Sequence, residues 1–157
     1  MSTFAACSRN ALHKACVDTD AGFIASLRDG ERDQSGTTAC IVVIDGTVMY
    51  TGNLGDSRAV VCRGGDAVAL TTDQKASSPS EVARIVAADG FVINNRVLGY
   101  LAVARALGDA AFKTGPGQPE LVSTHPEVTE VPIDARDEFI VLACDGLFDV
   151  LGNQEVR

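Results

Sequence analysis

At 157 residues, with 46% hydrophobic and 22% charged residues, the chain is about one domain long and can bury a core without disulfide or metal staples. Disordered, collagen-like and coiled-coil classes are excluded. The formal net charge of -8 argues against a nucleic-acid partner, which needs basic surface to displace counterions from phosphates. Five cysteines with no C-x-x-C pair read as free thiols in a reducing compartment, so the expected location is cytoplasmic or nuclear. No apolar run approaches the roughly 20 residues of a membrane span, and no membrane partner is expected.

In chain order, Leu12, Cys16, Phe23 and Leu27 recur at helical spacing between about Asn10 and Arg28, which predicts an amphipathic helix laid on a sheet. Lys14, Asp18, Asp20 and Arg28 fall mostly off that stripe. His13 lies beside it and reads as packing or surface. A charged loop over 29–35 follows. Gly36 to Asn53 then holds two β-rich runs around Asp45-Gly46, the strongest short-range hairpin signal. Both alternating faces of the first run are apolar, which predicts a central strand covered on two sides. A second hairpin is expected over Arg58 to Thr71, turning at Gly64-Gly65. Between the hairpins, Gly55-Asp56-Ser57-Arg58 reads as a turn pinned by an Asp-Arg pair, in preference to a phosphate-binding arginine.

Ser78-Pro79-Ser80-Glu81 has the form of a capping box with proline at the first helical position. Val82, Ile85 and Val86 should face inward, with Gly90 at the C-terminal cap. Phe91 to Lys113 shows glycine and asparagine punctuation without a clean period, as expected of short strands in an irregular lobe. A turn-rich loop covers 115–119, and His125, before Pro126, reads as a loop residue. The run Phe139 to Cys144 is again apolar on both faces, predicting a second central strand, and it stops at Asp145-Gly146. Asp149 follows four residues later and points the same way if a helix starts here. Two readings stand for this stretch. Asp145 is an N-cap, the reading the stretch alone favours, or Asp145 and Asp149 are rigidly held ligands of a hard cation.

Five segments together decide between them. Ser35-Gly-Thr-Thr-Ala, Asn53-Leu-Gly-Asp-Ser-Arg-Ala, Asp73-Gln-Lys followed by Glu81-Val-Ala-Arg-Ile, Arg96-Val-Leu-Gly-Tyr-Leu-Ala-Val-Ala-Arg-Ala-Leu-Gly-Asp, and Ala143-Cys-Asp-Gly-Leu-Phe-Asp-Val resemble, in order and spacing, the protein phosphatase 2C-like, metal-dependent (PPM) family. The resemblance implies an α+β fold in which two antiparallel sheets pack as a sandwich with flanking helices, and a magnesium or manganese centre of two or more ions. It implies hydrolysis of phosphoserine and phosphothreonine in proteins. It makes Asp145 a metal ligand, and Asp149 and Asp73 ligands of an additional, weaker site. Two cations about 4 Å apart activate a bridging water and neutralise the phosphate.

The resemblance also sets expectations about what is not here. An Asp-Gly-His-Gly-Gly segment and a phosphate-binding arginine expected upstream, and a Gly-Ser-x-Asp-Asn segment expected downstream, do not occur in residues 1–157. The family's general-acid histidine therefore has no counterpart, and no catalytic residue or substrate-binding residue is identified. Gln74, Ala76 and Ala104 depart from the family's usual His, Pro and Ser. The chain is accordingly expected to be a partial domain, truncated at both ends and inactive by itself. The alternative is a pseudophosphatase that keeps the sandwich as a protein-binding or regulatory module.

Overall fold

The computed structural model describes residues 3–27, 34–113 and 119–157; Arg28 and most of the loops expected over 29–35 and 115–119 lie outside them. Helix α1 (Thr3–Ser26) leads into strands β1 (Gly36–Thr37), β2 (Ala39–Asp45), β3 (Val48–Leu54), β4 (Arg58–Arg63) and β5 (Asp66–Ala69). Helix α2 (Pro79–Ala87), short strands β6 (Val92–Ile93), β7 (Arg96–Val97) and β8 (Leu107–Gly108), strands β9 (Glu127–Pro132) and β10 (Asp137–Ala143), and helix α3 (Asp145–Phe148) follow. Two three-stranded antiparallel sheets, ordered β2-β3-β9 and β10-β4-β5, carry the architecture.

Both hairpins form as the turn residues predict. Gly46 and Gly64 adopt positive φ of 57° and 60°, which glycine reaches without the steric cost a Cβ would bring. The sheets face each other through Met49 of β3 and Ala59 and Val61 of β4, with Leu70 beyond β5 closing the cluster. Most polar groups inside the sandwich are paired, as burial requires, Asn53 Oδ1 being an exception. Thr51 Oγ1 and Thr129 Oγ1 share a hydrogen bond at 2.6 Å, and the hydroxyl that accepts there donates to the Leu70 carbonyl, which lies 3.4 and 3.3 Å from the two oxygens.

The structure corrects the assignment of the central strands. Among the described residues β2 and β10 stand at the ends of their sheets and not in the middle, and Val43, Ile44, Phe139 and Leu142 are exposed. The central strands are β3 and β4, buried along most of their length on both faces. Apolarity on two faces reports side-chain character, whereas centrality is set by non-local pairing that no single strand encodes.

Helix α1 packs on the outside of the β2-β3-β9 sheet, Leu12 lying over Gly52, where an added Cβ would come 3.9 Å from it, and Leu12 and Cys16 are buried. Arg9 pairs with Glu130 of β9 at 2.8 Å. Phe23 stays at the surface. Asp20, expected on the solvent side, is buried because its Oδ1 accepts from the Gly108 amide and from Lys113 Nζ. His13 meets His125 of the loop before β9.

A second core lies under α2, where Ile85 packs with Ala76, Val97, Ala104, Ala106 and Val122. The expected capping box does not form: Ser78 makes no side-chain cap bond. Glu81 is instead buried, its two oxygens taken by Arg105 and Arg84, because a charge-assisted bond outbids a reach back to a neutral amide. Val86 faces solvent. At the helix end Asp89, not Gly90, takes the left-handed conformation (φ 60°), and the Gly90 amide donates to the Ile85 carbonyl at 2.9 Å. In the irregular lobe, Asn94 and Asn95 (φ 51° and 59°) turn the β6-β7 hairpin, a conformation asparagine tolerates.

Candidate metal-binding acid rim

Antiparallel register builds this site. Ala143 of β10 pairs with Arg58 of β4, so the chain running out past Ala143 and the chain running in before Arg58 lie side by side. Asp145 is two residues beyond one end and Asp56 two residues before the other, which sets the two carboxylates against each other. Burial first, and then the charges of Asp145 and Asp73, push the Asp56 carboxyl above its ordinary range. Asp145 occupies the first position of α3, with Cys144 rather than Asp145 at the N-cap, and Asp149 closes the helix at the other end, its amide donating to the Asp145 carbonyl at 2.8 Å.

Asp73 reaches the same rim from the loop after β5. Arg58 donates to both of its oxygens, Nε to Oδ1 at 2.8 Å and Nη2 to Oδ2 at 2.7 Å. The remaining Arg58 nitrogen donates to Asn153 Oδ1 at 2.6 Å, and the guanidinium lies 4.7 Å from the centre of the Phe148 ring. Arg58 is thus a cross-brace between the Asp73 loop and the chain after β10, with its pKa raised by the bond to Asp73. The aspartate that pins the turn is Asp73, not the neighbouring Asp56. Lys75 Nζ donates to Asp149 Oδ1 at 3.2 Å, a half-exposed pair, and that carboxylate raises the ammonium's pKa, with Asp56 and Asp73 adding to it.

The structure therefore brings Asp73, Asp145 and Asp149 to one end of the sandwich and adds Asp56, Arg58 and Lys75, which the sequence reading did not place there. The donors are all carboxylate oxygens, the chemistry a hard divalent cation takes. Asp73 and Asp149 already hold a guanidinium and an ammonium. Among the described residues no group of three His, Cys, Asp or Glu side chains is arranged to hold a metal ion. In donor type the rim fits magnesium or manganese; in donor number, these residues fall short of a closed two-ion site.

The supporting turn explains two sequence features. Gly55 has φ 92°, and a Cβ there would come within 2.4 Å of Thr38 Cγ2 and 3.1 Å of the Arg105 carbonyl, so only glycine lets the Asp56 turn sit this close to the lobe. Gln74 is buried and clamps that turn. Its Oε1 accepts from the Gly55 amide at 2.9 Å, its own amide donates to the Gly55 carbonyl at 2.9 Å, and its Nε2 donates to Glu127 at 3.4 Å. Ala76 and Ala104 are fully buried in the core under α2. Gln74 thus supports the Asp56 turn, while Ala76 and Ala104 have a place in the core.

The family model described as Protein phosphatase 2C matches residues 3–157. Among curated proteins, the chain is 49% identical over 133 residues to mouse Protein phosphatase 1B, covering 83% of this chain and 34% of that protein. It is 42% identical over 148 residues to Probable protein phosphatase 2C 45 of Oryza sativa subsp. japonica, covering 92% and 50%. The chain thus spans half or less of the length of these relatives. Among solved structures, a C. elegans sex determining protein superposes with a TM-score of 0.75 at 32% identity, over 92% of this chain and 35% of that one. Serine-threonine phosphatase 2C from Toxoplasma gondii gives a TM-score of 0.80 at 23% identity over 94% and 53%, a likeness of fold.

Proposed function

Since the chain belongs to the protein phosphatase 2C family, we propose that it forms part of the catalytic domain of a metal-dependent phosphatase acting on phosphoserine and phosphothreonine in proteins. The observation that carries the proposal is the gathering of Asp56, Asp73, Asp145 and Asp149 from separate segments at one end of the sandwich, where burial first, and then the charges of Asp145 and Asp73, raise the pKa of Asp56. Carboxylates that repel one another in this way are stabilised by a cation placed among them.

Asp145 would hold magnesium or manganese, with Asp56 at hand, and Asp149 would join once released by Lys75. The bound ions supply a metal-activated water and neutralise the charge of the phosphate. The chain's own contribution is positional. Arg58 fixes the Asp73 loop against Phe148 and Asn153, and so fixes the start of α3 that carries Asp145. Because its nitrogens are committed to Asp73 and Asn153, Arg58 is a brace and not a phosphate ligand. Gln74 and Gly55 hold Asp56 in register with Asp145. The thiols of Cys16, Cys40, Cys62 and Cys144 are free, which suits a reducing location, cytoplasm or nucleus. The relatives are named as phosphatases, which favours catalysis over a purely protein-binding role.

The test is hydrolysis of phosphoserine and phosphothreonine peptides across a manganese titration, paired with manganese binding to the 157-residue chain by calorimetry. The expected result is that Asp145→Asn abolishes manganese binding and leaves the fold intact. The chain alone should turn over little or no phosphopeptide, and a longer protein carrying the Asp-Gly-His-Gly-Gly and Asp-Asn segments should turn it over only with metal. Activity of that longer protein that survives both chelation and Asp145→Asn would overturn the proposal.

A further inference from the structure

His13 and His125 lie 112 positions apart, yet His125 Nδ1 is 3.0 Å from His13 Nε2, with ring planes 15° from parallel and centroids 4.9 Å apart. Both side chains are exposed. One proton shared between two imidazoles at the surface contributes little to stability, because water competes for both nitrogens. Helix α1 does not depend on it, being docked by Leu12, by Arg9 on Glu130 and by Asp20 on Lys113. The backbone of His125 is nevertheless held from both sides. Its amide donates to Ser123 Oγ at 3.2 Å, and its carbonyl accepts from Arg105 Nη1 at 3.0 Å. Two imidazole nitrogens are thus held next to each other at the surface, within hydrogen-bond distance, on well-placed backbones.

We propose that His13 and His125 form a site for a divalent cation of the zinc or nickel class, separate from the acid rim. With metal–nitrogen bonds of about 2.0–2.1 Å, two imidazoles on one tetrahedral ion stand roughly 3.3 Å apart, about 0.3 Å more than the separation found here. The outer torsion of a histidine ring is soft, so exposed rings turn the few tens of degrees needed to bring both lone pairs onto one ion. Solvent fills the remaining coordination positions.

Donor type separates the two sites. Imidazole suits zinc, nickel and copper, while carboxylate and water suit magnesium and manganese. The neighbouring cations do not oppose a metal strongly, since each already has an acid partner: Arg9 is held by Glu130, Lys14 by Asp18 and Arg105 by Glu81. An ion bound here ties α1 to the segment entering β9 and closes a loop through most of the chain. Protons compete for the same nitrogens, so acidification releases it.

The experiment is nickel and zinc titration by calorimetry on the 157-residue chain carrying Cys144→Ser, which removes an exposed competing thiol. With magnesium in excess to occupy the acid rim, one site is expected. His13→Gln and His125→Gln should each weaken it at least tenfold, and millimolar magnesium should not compete. Asp145→Asn should leave it unchanged, so this result and the metal reading of the acid rim stand or fall separately. At a free metal concentration about ten times the dissociation constant, the melting midpoint should rise by roughly 3–6 °C. Both rings are exposed, so the glutamine variants should melt without metal as the parent does. A readout that needs no variant is copper(II) electron paramagnetic resonance, which should show coupling to two imidazole nitrogens. No binding at millimolar metal, binding that survives either histidine substitution, or coupling to a single nitrogen overturns the proposal.

Discussion

Glu81→Gln isolates the brace that holds the irregular lobe on α2. The Glu81 side chain is 3% exposed and accepts from Arg105 Nε and Nη2 at 3.0 and 2.6 Å and from Arg84 Nε at 2.8 Å. Arg84 in turn donates to the carbonyls of Glu120, Ala104 and Leu121, so one carboxylate organises two arginines and, through them, two stretches of backbone. Glutamine keeps the shape but leaves two guanidinium groups facing a neutral amide. Removing one partner of a buried ion pair costs about 3–5 kcal/mol. With the arginine side chains 23% and 28% exposed, water recovers part of that, leaving about 2–4 kcal/mol, or roughly 4–16 °C of melting midpoint for a domain of this size. The pH dependence adds a signature. Burial alone would raise the carboxyl, but the bonds from Arg105 and Arg84 outweigh it and hold the pKa below its ordinary value of 4.5. A depressed carboxyl contributes stability that is fully present above its unfolded value and lost as pH falls through its folded value. Urea unfolding of parent and variant should therefore show a deficit that is constant from neutral pH to about 5 and shrinks below it. A variant within 1 °C of the parent at neutral pH, or a deficit that grows on acidification, refutes the reasoning.

Two further substitutions probe the rim and the packing. Arg58→Met removes both bonds to Asp73 and the bond to Asn153; urea unfolding should show a loss of about 1–3 kcal/mol, partly restored by millimolar manganese as the freed carboxylates take the cation. Gly90→Ala places a Cβ within 2.5 Å of Leu121 Cδ2 and 3.1 Å of the Ile85 carbonyl; forcing this contact apart should cost about 1–3 kcal/mol in a thermal melt, and a neutral result would mean that α2 is not seated against Leu121 as described.

The hairpins were legible because their turns carry their own chemistry: Asp45-Gly46 and Gly64-Gly65 demand positive φ whatever surrounds them. The identity of the central strands was not. β3 contains Thr51, Gly52 and Asn53, which argue against burial when read alone. Its hydroxyl is buried because Thr129 lies opposite and the Leu70 carbonyl faces both, partners 78 and 19 residues away. The capping box failed for a related reason. Its local pattern was intact, but Arg105, 24 positions on, offered Glu81 a stronger partner than the Ser78 amide.

At the site, Asp73, Asp145 and Asp149 were readable from motif resemblance, whereas Asp56 was read as half of a turn-pinning pair. The missing signal is the register. Once β4 is known to start at Arg58 opposite the last residue of β10, Asp56 and Asp145 must be neighbours. Likewise, each histidine alone looked inert, and only the docking of α1 beside the β9 entry joins them.

The charge count at the rim shows what the fold leaves open. Four carboxylates meet two cations there, and both cations are assigned: Arg58 to Asp73 and Lys75 to Asp149. Asp56 and Asp145 face each other with no ion pair of their own among the described residues, and their repulsion is, after burial, the second cause of the raised pKa of Asp56, which Lys75 partly offsets. A proton relieves it at low pH and a hard divalent cation relieves it at neutral pH, so binding of the cation must expel whatever fraction of a proton Asp56 retains. The histidine pair poses the same competition with softer donors, one shared proton against one metal ion. A titration that follows proton release on adding manganese and then nickel would thus register two separate events, the first lost in Asp145→Asn and the second in His125→Gln.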